Sequence, residues 1–95
     1  MEWEFEGEVI EWRGPSPYFF VAIPLDESDE LREAGRELVY WGQVPVRARI
    51  GETEFRTATF PYGEQYALPL RVAIRRAEAL EVGDLVRVSL RLGSR

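Results

Sequence analysis

QVPVRARIGETEFRTATF, residues 43–60, decides the fold. In its first half Val44, Val46, Ala48 and Ile50 alternate with Pro45, Arg47 and Arg49, the period of two that turns one side of a strand to a core and the other to water. Gly51-Glu52 then fits a two-residue type II′ turn, in which glycine supplies the positive φ of the first central position. Such a turn fixes the register of the hairpin. Ile50 is expected to face Thr53, Ala48 to face Phe55 and Val46 to face Thr57 on the inner side. On the outer side Arg49 is expected opposite Glu54, and Arg47 opposite Arg56.

Further along the chain, Pro61-Tyr62-Gly63-Glu64-Gln65 reads as a loop and Tyr66 to Leu68 as a short strand ended by Pro69. Helical spacing predicts a helix from about Leu70 to Leu80, with Leu70, Ile74, Ala77 and Leu80 facing in and Arg71, Arg75 and Arg76 facing out. Val82-Gly83-Asp84 turns the chain into a last strand, where Val86, Val88, Leu90 and Leu92 alternate with Arg87, Ser89 and Arg91. Before the hairpin, Trp3, Phe5, Gly7 and Val9 alternate with Glu2, Glu4, Glu6 and Glu8, a half-buried antiparallel strand with an acidic outer side. The alternation slips at Val9-Ile10, where a β-bulge is expected. Arg13-Gly14-Pro15-Ser16-Pro17 is a turn by composition, and Tyr18 to Ile23 a second strand covered on both faces. Pro24 ends that strand. A short helix follows with Asp26 or Ser28 placed as N-cap and with Leu31, Ala34 or Gly35, and Leu38 turned inward. Gly35 marks either close packing or the end of this helix. The acids from Asp26 to Glu30 lack the alternating oxygen ligands and central glycine of a calcium loop and read as a solvated helix start.

The tally is six strands and two short helices within one domain, residues 1–95, since 95 residues do not supply two cores. Apolar residues make up 45% and charged residues 31% of the chain, a balance that folds. There is no Cys and no His, and all twelve cations are Arg. Thiol and imidazole catalysis, structural zinc, disulfides and a Ser–Lys nucleophile are thereby excluded. Paired carboxylates are conceivable, since acids are plentiful, but the glutamates of the first strand alternate outward and nothing places two of them across a cleft, so no cofactor, no metal and no enzymatic activity are expected. The longest apolar run, Tyr18 to Leu25, contains Pro24 and is far too short for a membrane span. The opening Met-Glu-Trp-Glu-Phe-Glu is the reverse of a basic signal peptide, and a cytoplasmic location is expected. Residues 1–40 carry eleven acids against three Arg; residues 41–95 carry six against nine, and the chain totals −5. Net acidity speaks against broad nucleic-acid binding, which depends on neutralising phosphates, but a local basic face remains able to bind an anion.

Ala22-Ile23-Pro24-Leu25 before the first helix is echoed by Ala67-Leu68-Pro69-Leu70 before the second, which predicts two related halves closing one barrel. Several motifs then resemble a bacterial family of small domains of unknown function. They are Gly14-Pro15 with Tyr18-Phe19-Phe20-Val21, Trp41-Gly42, Val44-Pro45-Val46, Ile50-Gly51, Phe60-Pro61, Leu68-Pro69-Leu70, Arg75-Arg76-Ala77 and Val82-Gly83-Asp84. The resemblance covers nearly the whole chain. It implies a mainly β fold, a six-stranded double-split β-barrel capped by two short helices. Members of the family occur alone or joined to a bacteriocin-protection type domain, and this chain, ending at Arg95, is expected to be the solitary form. Ala67 to Leu80, with Val82-Gly83-Asp84 and Val86, also looks like the half-barrel unit of AbrB-type transcription regulators, in which two chains complete a barrel and bind DNA. The doubled unit implies that one chain suffices here. The resemblance carries no activity, substrate or catalytic residue.

The sharpest functional signal is Arg47 opposite Arg56, because like charges facing each other in a sheet cost about 0.2–1 kcal/mol. Two arrangements compensate them: a bound carboxylate, phosphate or acidic side chain held by the guanidinium forks, or a salt-bridge ladder with Glu2, Glu4, Glu6 and Glu8, which Arg87 and Arg91 would share. Arg75 and Arg76, with Arg71, form a second basic cluster, either the wall of the same site or a solvated helix face partly neutralised by Glu78. Trp12, Tyr18, Trp41 and Tyr62 are either stacking platforms or fillers of the barrel ends. The reading is a non-enzymatic binding domain in which Arg47, Arg56, Arg75 and Arg76 recognise an anionic group on a small ligand or a protein partner. The alternative is an AbrB-like nucleic-acid-binding regulator, and both monomer and homodimer stay open.

Overall fold

Six alternating segments close on themselves into a barrel. The computed structural model describes residues 2–39 and 42–93; Trp41 lies outside them. The elements in chain order are β1 (Glu2–Trp12), β2 (Tyr18–Ala22), α1 (Leu25–Ala34), β3 (Val44–Ile50), β4 (Thr53–Tyr62), β5 (Gln65–Leu70), α2 (Val72–Ala77) and β6 (Leu85–Leu92). Every neighbouring pair is antiparallel, in the closed order β1-β2-β5-β4-β3-β6. Exchanging β1, β2 and β3 with β4, β5 and β6 leaves every pairing in place, so the topology carries the two-half organisation that the sequence echo predicts. The echo itself is out of step. Pro24 is the N-cap of α1, whereas Pro69 sits inside β5 opposite Phe20.

The two long strands, β1 and β4, each serve two walls. Residues 2–8 of β1 pair with β6, and residues 9–12 pair with β2. β4 pairs with β3 from Thr53 to Thr59 and with β5 from Phe60 to Tyr62. The inward rows fill the interior with Trp3, Phe5, Val9, Val21, Val46, Leu68, Val88 and Leu90, among others. The hairpin register is the one its turn dictates, from Ile50 opposite Thr53 to Arg47 opposite Arg56. Gly51 has φ +59 while Glu52 is not among the positive-φ residues, which identifies the type II′ turn.

Several expectations need correction. No bulge interrupts β1: Glu8 faces Leu85 and Val9 faces Val21 in unbroken succession, and the strand changes partner there instead. The N–H of Val9 donates to the carbonyl of Asp84 at 2.9 Å, and the N–H of Gly83 to the carbonyl of Val9 at 2.8 Å, which pins the exchange. Ile10 and Trp12 therefore continue the outward row of the glutamates. The loop expected at 61–65 shrinks to the two residues Gly63-Glu64, because Pro61 pairs with Tyr66 and Tyr62 with Gln65. β5 runs on through Pro69 to Leu70, which faces Phe19, so α2 begins only at Val72 and contains six residues. Ala77 is exposed, while Ile74 and Leu80 pack on the core.

The helices close the two ends of the barrel. α1 starts at Leu25 with neither Asp26 nor Ser28 as cap. Ser28 is fully buried within it: its Oγ donates to the Ile23 carbonyl at 2.9 Å and accepts the Tyr66 N–H at 3.0 Å. Trp3 Nε1 donates to Glu30 Oε1 at 2.9 Å, tying β1 to the same helix. Gly35 is both things the sequence left open, the C-cap and a close approach, since a Cβ there would stand 2.7 Å from Val44 Cγ1. Among the described residues no helix is long and apolar enough to cross a membrane.

Candidate functional site

The wall formed by β1, β6, β3 and the first part of β4 carries charge on its outer face. Cross-strand register sets its side chains in rows. Glu2 faces Arg91, Arg91 faces Arg47, and Arg47 faces Arg56. Three guanidinium-bearing residues from three strands thus stand abreast, all exposed, with a single glutamate at one end. The next row reads Glu4, Ser89, Arg49, Glu54. Within it Ser89 Oγ donates to Glu4 Oε1 at 3.3 Å, and Arg49 Nε donates to the Gly51 carbonyl at 3.0 Å. Glu6 faces Arg87 in the row beyond.

The glutamates of β1 are therefore in register for a salt-bridge ladder, but the ladder is not closed. Among the described residues the ion pairs within 4.0 Å are Arg13–Glu11, Arg32–Asp29 and Arg36–Glu33, none of them on this wall. Between the two rows lies a depression of about 110 Å³ lined by Glu2, Arg47, Arg49, Glu54, Ser89 and Arg91 side chains. A small anion lying there would meet guanidinium groups from two strands with the polypeptide floor of Ala48 and Leu90 beneath.

α2 is tethered elsewhere. The Arg75 guanidinium carbon lies 3.7 Å from the centre of the Phe19 ring, a cation–π stack, and Arg75 Nε donates to the Leu70 carbonyl at 3.4 Å. Arg76 is exposed on the same helix and Arg71 is its N-cap residue. Glu78 accepts a 2.6 Å hydrogen bond from Thr53 Oγ1, which straps the helix end to the β3–β4 turn and directs that carboxylate away from partnering Arg75. The structure thus brings Arg47 and Arg56 together, with Arg91 and Arg49 beside them, and holds Arg75 against Phe19. Arg91 entered the sequence reading only as a partner for the glutamates. Its place beside Arg47 depends on the pairing of β3 with β6, which no local pattern announces.

The opposite wall, formed by the last residues of β1 with β2, β5 and the end of β4, is aromatic on its outer face. Trp12, Tyr18, Phe20, Phe60 and Tyr62 form one cluster with ring centroids 4.9–5.8 Å apart. Trp12, Tyr18 and Tyr62 do not fill the barrel ends; they lie outside, because they fall on the outward rows that Ile10 and Phe60 share. Thr59, by contrast, points in, its hydroxyl donating to the Val44 carbonyl at 3.1 Å.

The family model described as a domain of unknown function, DUF1905, matches residues 5–90, which spans both walls and both helices. No curated protein matches the chain.

Proposed function

The chain belongs to the DUF1905 family of domains of unknown function, and within it we propose a binding rather than a catalytic role: recognition of an anionic group, carboxylate or phosphate, on a small ligand or a protein partner. The observation that carries this reading is the row Arg91–Arg47–Arg56, three like charges abreast with no carboxylate within ion-pair distance among the described residues. Each like-charged pair costs about 0.2–1 kcal/mol in a sheet, a cost that a bound anion converts into attraction. Guanidinium forks from neighbouring strands suit two-pronged hydrogen bonding to a planar carboxylate or a phosphate. Glu2 and Glu54 border the depression and repel further negative charge. That border favours one compact anionic group over a polyanionic strand, whose binding needs several phosphates neutralised at once. Arg75 and Arg76 stand apart from this row on α2, and Arg75 acts through its stack on Phe19.

The test is a set of thermal melts at low and high salt with phosphate, nucleotides, small dicarboxylates and a short DNA duplex, comparing wild type with Arg47→Glu/Arg91→Glu. A ligand at about 100 times its dissociation constant adds about 2.7 kcal/mol and raises the melt by several degrees. A shift with a small anion that the double variant loses supports the reading. A shift with the duplex alone, falling steeply with salt, replaces it with nucleic-acid recognition. No shift with any anion overturns both.

A further inference from the structure

The aromatic wall presents an apolar face whose rings are fixed before any partner arrives. Trp12 is 45%, Tyr18 39% and Tyr62 41% exposed, side by side on one face. Phe20, on the same side, is only 2% exposed because Tyr18, Phe60 and Tyr62 surround its ring. The Trp12 indole lies against Gly14, where any side chain would collide with it. Contiguous exposed aromatics of this kind mark an interaction surface, unlike single scattered ones.

The two ends of this face carry opposite charge. At the α1 end lie Glu64, in the turn between β4 and β5, and Asp26, which line the same depression. Arg32 in the same place spends its charge on Asp29, at 2.8 Å, and donates to the Glu64 carbonyl at 3.0 Å. At the α2 end Arg71, which directly follows β5 as the N-cap residue of α2, is exposed, and the helix carries a second exposed cation, Arg76. Arg13, also at that end, is already paired with Glu11.

A face that is acidic at one end, apolar in the middle and basic at the other is complementary to itself. A partner of uniform charge meets repulsion at one of the two rims, whereas a second copy, turned by a two-fold axis that lies in the interface and runs across the strands, meets attraction at both. We propose that the outer face of the β2–β5 wall is the interface of a homodimer, with Trp12, Tyr18, Phe60 and Tyr62 at its centre and Glu64 of each copy set against Arg71 of the other. An interface of ordinary size takes about 800 Å² from each partner, roughly an eighth of the 6126 Å² that this chain exposes. The arginine row lies on the other wall, so a dimer exposes two anion sites, and the dimer stands or falls independently of them.

Sedimentation equilibrium and light scattering through the micromolar range test this on the full chain. The expected mass is twice that of the 95-residue chain, and Tyr62→Ala and Arg71→Glu each shift the dimer to monomer at least tenfold in concentration. Glu64→Arg does the same alone and restores the dimer when combined with Arg71→Glu in one chain. Thermal melts of the same variants at low concentration show that they remain folded. A monomer at every concentration, a dimer indifferent to Tyr62→Ala, or a doubly reversed chain that stays monomeric overturns the proposal.

Discussion

Arg47→Glu is expected to stabilise the free protein while abolishing its binding of anions. Arg47 is the middle member of its row, facing Arg91 on one side and Arg56 on the other. Each of these contacts costs about 0.2–1 kcal/mol as a like-charged cross-strand pair, and reversal turns two repulsions into two attractions of comparable size. All three side chains are exposed, so solvent reduces the effect, and a net gain of about 1 kcal/mol at low salt is expected. For a domain of this length that is a rise of about 4–8 °C in melting temperature. Urea is the denaturant to use, since guanidinium chloride screens the very interaction at issue. The midpoint should rise with the slope unchanged. The gain should also vanish near 1 M salt, where the screening length is about 3 Å. A stabilised protein that no longer binds is the signature of charges kept for a ligand. If Arg47→Glu instead destabilises by 1 kcal/mol or more, the row is held by its own carboxylates, and the reasoning from like-charged pairs fails.

Three further substitutions test how the helices are held. Ser28→Ala leaves the Tyr66 N–H buried without its acceptor and should cost about 1–3 kcal/mol in urea unfolding; a neutral result would mean that α1 does not depend on this link. Gly35→Ala, a change that often stabilises a helix end, should here cost about 1–3 kcal/mol because the new Cβ meets Val44 Cγ1 and the Leu31 carbonyl; any gain in stability contradicts the packing described. Thr53→Val removes the strap to Glu78 and should cost about 1 kcal/mol. Its amide exchange should speed up from Val72 to Leu80 and nowhere else, and protection unchanged over that segment would show that the strap is idle.

The hairpin was legible to the residue because its register rests on one local feature, a glycine able to take positive φ at the first position of the turn. The misreadings share a cause. Ile10 and Trp12 looked like a slip in the alternation because an outward apolar residue has no explanation along its own strand; the explanation is the set of rings from β2 and β4 that cover the same face. Pro61 and Pro69 read as breaks, yet both lie within strands, opposite Tyr66 and Phe20. Of the candidate residues, Arg47 opposite Arg56 followed from the turn. The third arginine of the row needed the pairing of β3 with β6, and the placement of Arg75 against Phe19 needed the pairing of β2 with β5.

The central claim is that the row Arg91–Arg47–Arg56 recognises an anion, with Arg47 and Arg91 lining the depression that receives it and Arg56 adding charge beside Arg47. Titration of isotopically labelled protein with phosphate and with a small dicarboxylate, following the Nε–H signals of the twelve arginines, tests it most directly. Saturable shifts confined to Arg47, Arg49, Arg56 and Arg91, and lost in Arg47→Glu, are the result expected. Weak, non-saturating shifts spread evenly over all exposed arginines would contradict the claim.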